Sequence, residues 1–224
     1  MDRRGSLFPL ALGAVAAAAL LAGAPSARAD VAEGTFTYAV HTERFGKVGA
    51  YTNIVRRDGV AIVVENRTEI AVRFLFATLF HLSAASTAVW RDGRLVAYSA
   101  VTDDDGEVSR VAGRADGEEF RIDGTAGRFA GPADAMPLNP WNAAIVRASA
   151  ILSPKTGEVF PASVSGGAAE TVEVGGVPTE ARAFRIDTDR RTWVWYDGGD
   201  VPVKFAMERK RGREVLTFTL VRRE

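Results

Sequence analysis

Apolar and polar residues alternate along most of this chain, and the alternation is longest between Val60 and Phe76. Every second residue there belongs to a mostly apolar set, and the residues between them carry most of the charges. The mostly apolar set is Val60, Ile62, Val64, Asn66, Thr68, Ile70, Val72, Phe74 and Phe76. A period of two is typical of a β-strand with one buried face. The pattern therefore predicts a long antiparallel strand.

Turn signals separate many such alternating segments. Asp-Gly pairs end at Gly59, Gly93, Gly106, Gly117 and Gly124, and a Gly-Gly pair lies at Gly175–Gly176. Such pairs favour tight hairpins between antiparallel strands. A sheet of so many strands twists strongly and cannot stay flat. The sequence therefore predicts a mainly β protein, a strongly curved antiparallel β-meander that forms a half-barrel or open barrel.

One segment, "PLNPWNAAIVRASAI", breaks this alternation. It places Asn139 as a candidate N-cap and Pro140 at the first helical position. Apolar residues then follow at helical spacing, namely Trp141, Ala144, Ile145 and Ala148. We therefore predict one short inserted α-helix near 140–149, with its apolar stripe on the concave face of the sheet.

The N-terminus has the pattern of an export signal. Arg3 and Arg4 precede a long Ala- and Leu-rich run, which ends at the small-x-small sequence Ala27-Arg28-Ala29. We predict a cleavable signal peptide at 1–29 and a single domain at 30–224, located in the periplasm or secreted, with no stable membrane span after cleavage. The twin arginines fit the twin-arginine export pattern only loosely, so the sequence leaves the export route open.

Composition narrows the chemistry. The chain has no cysteine, and its 28 basic and 28 acidic residues balance, which gives no electrostatic reason to expect nucleic acid as a partner. The two histidines, His41 and His81, stand alone without metal-ligand spacing. No Gly-x-Ser-x-Gly elbow occurs. The sequence therefore indicates no metal, no cofactor and no catalytic residue.

A late hairpin around Gly198 and Gly199 concentrates aromatic residues, and its loop length decides which face they occupy. A two-residue loop would place Trp195 opposite Pro202. A three-residue loop, Gly198–Asp200, would place it opposite Val203. We favour the three-residue loop, because Asp tolerates the left-handed backbone that such a loop needs at its last position. One face would then collect Trp193, Trp195, Val203, Phe205 and Met207. These side chains could fill a core or line a cavity, and the sequence does not separate the two.

Four C-terminal motifs carry a resemblance to a known family. They read "NPWNAAIV", "LSPKTGEVFPASVSG", "VEVGGVPTEARAFRI" and "TWVWYDGGDVPVKFAME". In this order they resemble an uncharacterised family of exported bacterial proteins, the domain of unknown function numbered 6134. The shared residues are structural in type, namely Trp141, Gly157, Gly176, Trp195, Asp197 and Pro202. The resemblance extends distantly to the half-barrels of the LolA and LolB lipoprotein carriers, which implies a curved sheet around an apolar cavity.

We therefore expect a non-catalytic binding or carrier module for a lipid or a small apolar or amphipathic ligand. The candidate cavity lining is Phe74, Phe76, Trp141, Trp193, Trp195 and Phe205. This expectation requires a cavity above about 300 Å³, the lower end of ordinary ligand sites. The alternatives are an envelope structural or interaction protein that uses its sheet edges to meet an unknown protein partner, and a carboxylate-dependent hydrolase.

The signal peptide gives a direct prediction. We expect the exported protein to begin at Asp30, because cleavage follows the small residue Ala29. Intact-mass analysis of the protein recovered from the periplasm of a bacterial host checks this. A recovered chain that still carries residues 1–29 would contradict it.

Overall fold

The structure is a computed structural model that describes residues 31–74, 77–209 and 214–224. The predicted signal peptide lies outside the described residues, and so does Phe76. The strands are β1 (Gly34–Thr42), β2 (Gly46–Asp58), β3 (Ala61–Phe74), β4 (Ala77–Arg91), β5 (Arg94–Asp104), β6 (Glu107–Asp116), β7 (Glu119–Gly124), β8 (Gly127–Pro132), β9 (Met136–Pro137), β10 (Ala150–Leu152), β11 (Val159–Pro161), β12 (Ser163–Val174), β13 (Val177–Asp187), β14 (Arg191–Tyr196), β15 (Pro202–Arg209) and β16 (Glu214–Arg223).

Thirteen of these strands form one antiparallel sheet in the order β12-β13-β14-β15-β16-β1-β2-β3-β4-β5-β6-β7-β8. Most neighbours follow each other along the chain, as in a meander. The exception is β16, which pairs with β1 and so joins the two ends of the domain. Strands β12 and β8 remain edges, so the sheet is not closed. The prediction of a mainly β, open antiparallel barrel is confirmed.

Strand β3 has the face pattern that the alternation predicts. Asn66, Thr68 and Ile70 are buried on the concave face, whereas Arg67 and Glu69 between them are exposed. The register follows because a one-residue slip would move the whole apolar set into solvent.

The predicted α-helix near 140–149 is wrong in type. The described residues contain one 3-10 helix, Ala143–Arg147, and its N-cap is Asn142, whose Oδ1 accepts a 2.8 Å hydrogen bond from the Ala144 N–H. The predicted cap, Asn139, uses its amide elsewhere in the core. Ala148 is already extended, because β10 begins two residues later and pairs with both β9 and β11. These constraints leave room for only about one turn.

The apolar stripe of the segment is nevertheless buried as expected. Trp141, Ile145 and Ala148 all belong to the main hydrophobic core. Residues 133–162, which we call the insertion, carry this turn and the small sheet β11-β10-β9. The hydroxyl of Tyr196 donates to the carbonyls of Pro140 (3.2 Å) and Asn142 (2.8 Å) and so ties the insertion to β14.

A buried polar cluster ties the insertion to β2 and β3. Tyr51 Oη donates to Asn139 Oδ1 at 2.7 Å, and Asn53 and Asn139 exchange two amide hydrogen bonds of 3.0 Å each. Asn66 Nδ2 donates to Asn53 Oδ1 at 3.1 Å. Thr68 Oγ1 in turn donates to Asn66 Oδ1 at 3.1 Å. Because its members satisfy one another, the cluster can be buried at little cost and fixes the position of the insertion.

The favoured register of the late hairpin is wrong. Trp195 lies opposite Lys204, and Val194 lies opposite Phe205. Val194 and Phe205 are fully buried, so the concave face carries them, and the two tryptophans occupy the outer face of the sheet. Met207 lies opposite Thr192, on the concave side with Phe205.

The reason lies in a bulge beyond the loop. The three-residue loop Gly198–Asp200 forms as predicted, because the Asp197 N–H donates to the Val201 carbonyl at 2.9 Å, and the Asp197 carboxylate accepts hydrogen bonds of 2.9 Å from the Gly199 and Val201 N–H groups. A register shift between Trp195 and Tyr196 leaves Val203 as an extra, unpaired residue on β15, which is a β-bulge. The left-handed backbone expected at Asp200 is present, with φ of 59°. The turn residue was therefore identified correctly, but the bulge reversed the face of the tryptophans.

This register predicts unequal costs for truncating two aromatic residues. Trp195 donates a 2.9 Å hydrogen bond to the exposed Glu170 and lies under Lys204, so Trp195→Ala should cost only about 1 kcal/mol. Phe205 stacks on Phe218 with ring centroids 4.3 Å apart, so Phe205→Ala should cost about 3–5 kcal/mol. Denaturant unfolding of both variants measures the difference. Equal costs would contradict the register.

The polar cluster gives a second prediction. Asn139→Ala should lower the free energy of unfolding by about 1–3 kcal/mol, because it leaves the Tyr51 hydroxyl and the Asn53 amide NH2 without their acceptor. Ser99→Ala, on the exposed face of β5, is the matched control and should stay within about 0.5 kcal/mol of the parent. Thermal or denaturant unfolding gives both values. A variant as stable as the control would show that the cluster does not hold the insertion.

Candidate functional site

A cavity of about 250 Å³ lies between the concave face of the sheet and the insertion. Strands β3, β4, β5 and β16 contribute one wall, and insertion residues Leu138, Ile151 and Pro154 contribute the other. Its volume lies below the roughly 300 Å³ that the expectation from the sequence requires, so this cavity does not meet that expectation at its stated size. It therefore suits a smaller molecule than a typical drug-sized ligand.

Small side chains at paired positions create this space. Thr68, Ala84 and Thr102 lie side by side on β3, β4 and β5. Two residues further along β4, Ser86 lies between Asn66 of β3 and Ala100 of β5. Side chains of this size do not reach the insertion, so a gap remains where larger residues would make a closed core.

The inner end of the cavity is polar and neutral. It consists of the cluster around Asn139, with the hydroxyls of Tyr51 and Thr68. Burial raises the pKa of Tyr51 well above its usual value, and burial raises the pKa of Tyr98 as well, with the Ser86 hydrogen bond opposing it. Both hydroxyls therefore stay protonated and can donate hydrogen bonds at neutral pH.

The walls between the inner end and the opening are apolar. They are formed by Ile70, Phe80, Leu82, Met207, Leu216 and Phe218. Behind Phe218, a cluster of edge-on and stacked rings joins it to Phe205, Tyr51 and Tyr38 at centroid distances of 4.3 to 5.7 Å. This cluster is filled rather than hollow, and it gives the cavity a rigid wall.

Charged residues surround the opening, which we call the rim. The rim comprises Asp104, Lys155, Glu158, Asp189, Arg190 and Arg209. Lys155 Nζ lies 2.7 Å from Asp104, and Arg190 lies 2.9 Å from Asp189. The three acids and three bases balance, so the rim has no overall electrostatic preference and any selectivity depends on individual contacts.

The residues proposed from the sequence as cavity lining lie elsewhere. Trp141 is buried against Trp90, with ring centroids 5.8 Å apart, and Phe205 belongs to the filled ring cluster. Trp193 and Trp195 lie on the outer face. None of these four lines the cavity. Phe74 ends β3, but its side chain and the whole of Phe76 lie outside the described residues.

Sequence reasoning missed the residues that do form the cavity. A usable signal was present in β4, where the concave positions read Leu82, Ala84, Ser86 and Ala88. Three successive small residues at concave positions indicate that the sheet face is not filled by its own side chains. The aromatic residues chosen from the sequence were poor guides to the cavity, because large aromatic side chains fill a core more often than they line a cavity.

In the ranges that the structure covers, no three His, Asp or Glu side chains come close enough together to hold a metal ion. His81 lies at the surface, with its Nε2 3.8 Å from the Glu69 carboxylate. Within the same ranges, no helix has the length and apolar character needed to cross a membrane.

The comparison with solved structures supports the fold. The chain is similar to a β-barrel-like protein of the domain of unknown function DUF1849 from Brucella abortus, with 11% identity and a TM-score of 0.65. That similarity covers 87% of this chain and 98% of the other. A second similarity, to a DUF1089 family protein from Pseudomonas aeruginosa, covers 78% of this chain and 89% of the other, with 12% identity. Its TM-score is only 0.31, which is too low to support a shared fold.

No curated protein matches the chain. The further likeness to lipoprotein carriers stays a prediction. The family comparison is decisive, since residues 44–219 match the domain of unknown function DUF6134. Because this match spans well over half of the sequence, the chain belongs to the DUF6134 family, as its C-terminal motifs predict.

Proposed function

We propose that this protein is a non-catalytic binding module for a small apolar or amphipathic molecule, acting in the periplasm after removal of residues 1–29. The observation that carries the proposal is the cavity between the sheet and the insertion. It has a polar inner end, apolar walls and an opening with a charged rim. This order of surfaces is complementary to a molecule with both polar and apolar parts.

The size of the cavity limits the ligand. About 250 Å³ is too little for the acyl chains of a whole lipid, but it accommodates one short chain or one small ring system. The proposal is therefore narrower than carriage of lipids or lipoproteins. It replaces the expectation of a large, tryptophan-lined cavity with a small one lined by Phe80, Leu82 and Tyr98.

The walls of the cavity are preformed, which favours ligand binding. The insertion is held by Asn139 and by Tyr196, and the opposite wall rests on the ring cluster behind Phe218. A preformed apolar site binds with little loss of conformational entropy.

Filling the cavity tests the proposal. Ala84 lies at its centre, opposite Thr68 and Thr102, so Ala84→Phe should occupy the space that a ligand needs. Using N-phenylnaphthylamine as a neutral fluorescent probe, we expect the parent to bind it and Ala84→Phe to weaken binding by at least about tenfold, or about 1.4 kcal/mol.

Ser99→Phe is the matched control, because it adds the same ring to the exposed face of β5. It should bind the probe as the parent does. If a folded Ala84→Phe variant binds unchanged, the cavity is not the site. The alternative is then partner binding through β12, a mostly exposed edge strand of 12 residues.

A further inference from the structure

Arg209 differs from the other two cations of the rim in how it is held. It is the last residue of β15, and its guanidinium lies over the ring of Phe80 at 3.7 Å from the centroid. Its side chain is only 18% exposed, against 36% for Lys155 and 42% for Arg190. Phe80 is itself buried and lines the cavity. Arg209 is therefore a largely buried cation at the opening.

The charge of Arg209 is poorly matched. Its nearest acid is Glu214, whose carboxylate lies 3.7 Å away, which is beyond hydrogen-bond length. Within the described ranges the guanidinium makes no hydrogen bond, although it has five N–H donors. A buried charge without hydrogen bonds is costly, so this arrangement gains from an added acceptor.

Each of the other rim charges has a hydrogen-bond partner. Asp104 pairs with Lys155, and Asp189 pairs with Arg190. Glu158 accepts a 2.8 Å hydrogen bond from the Thr156 hydroxyl. None of these acids lies within ion-pair distance of Arg209, and Glu158 itself has no basic partner within the described ranges. Among the three rim cations, Arg209 is the one whose N–H donors have no acceptor in those ranges.

We propose that Arg209 binds the carboxylate head group of the ligand, and that the ligand is a short- to medium-chain aliphatic acid. The planar guanidinium matches the two oxygens of a carboxylate, and contact with the Phe80 ring restricts its rotation. The aliphatic chain then extends along Phe80, Leu82 and Ile70 into the cavity. This inference rests on the proposed function, because it names the ligand class of the same cavity.

Three probes with the same chain and different head groups test the inference by calorimetric titration, namely octanoate, octanol and octylamine. We expect the full-length mature protein to bind octanoate at least about tenfold more tightly than octanol, and octylamine no better than octanol. In Arg209→Gln, octanoate affinity should fall to that of octanol, while octanol affinity stays unchanged. Arg209→Lys should retain part of the preference, because it keeps the charge and loses the planar fork.

Arg128→Gln is the matched control, since this arginine is 88% exposed on β8 and should leave all three affinities unchanged. Thermal unfolding of each variant confirms that it is folded. If octanol binds as tightly as octanoate, or if folded Arg209→Gln keeps the preference for octanoate, the inference is overturned and the cavity proposal stands. If none of the three probes binds and N-phenylnaphthylamine also fails, both proposals are overturned.

Discussion

The hydrogen bonds between Asn139 and the pair Tyr51 and Asn53 are the contact on which the rest of this structure depends. An open sheet of thirteen strands cannot bury its concave face by itself, because its edges do not meet. The insertion covers that face, and the amide cluster specifies where it sits. An apolar contact would tolerate sliding, whereas buried amides are satisfied only in one arrangement.

The position of the insertion divides the interior of the barrel into two regions. On the side of β15, β16 and β1, large rings such as Phe205 and Phe218 stack and leave no space. On the side of β3, β4 and β5, residues such as Ala84 and Ser86 are too small to reach the insertion. A filled core and a lined cavity therefore coexist in one barrel. The rigid core supports the cavity wall, and the cavity opens at the rim near Arg209.

The site was less predictable than the fold. The sequence drew attention to Trp193 and Trp195, whose large apolar surface suggested a lining role. A bulge beside Tyr196 places both on the outer face instead. The actual lining includes Tyr98 and Ala84, which are ordinary in a strand and gain meaning only from the residues opposite them. A cavity forms where small side chains from several strands face one another, and a sequence does not show which of these residues are adjacent in the fold.

The sequence by itself determined the strands, the turns and the family. Alternation in β3 survives in the structure because a one-residue slip would move both Asn66 and Ile70 off the concave face. Asp92 and Asp105 take up the left-handed backbone of their Asp-Gly turns. These features depend on neighbours along the chain. Tertiary structure alone decided that Asn139 serves the core and not a helix cap, and that the late hairpin contains a bulge. Both depend on distant partners, whose positions become fixed only when the sheet curls around the insertion.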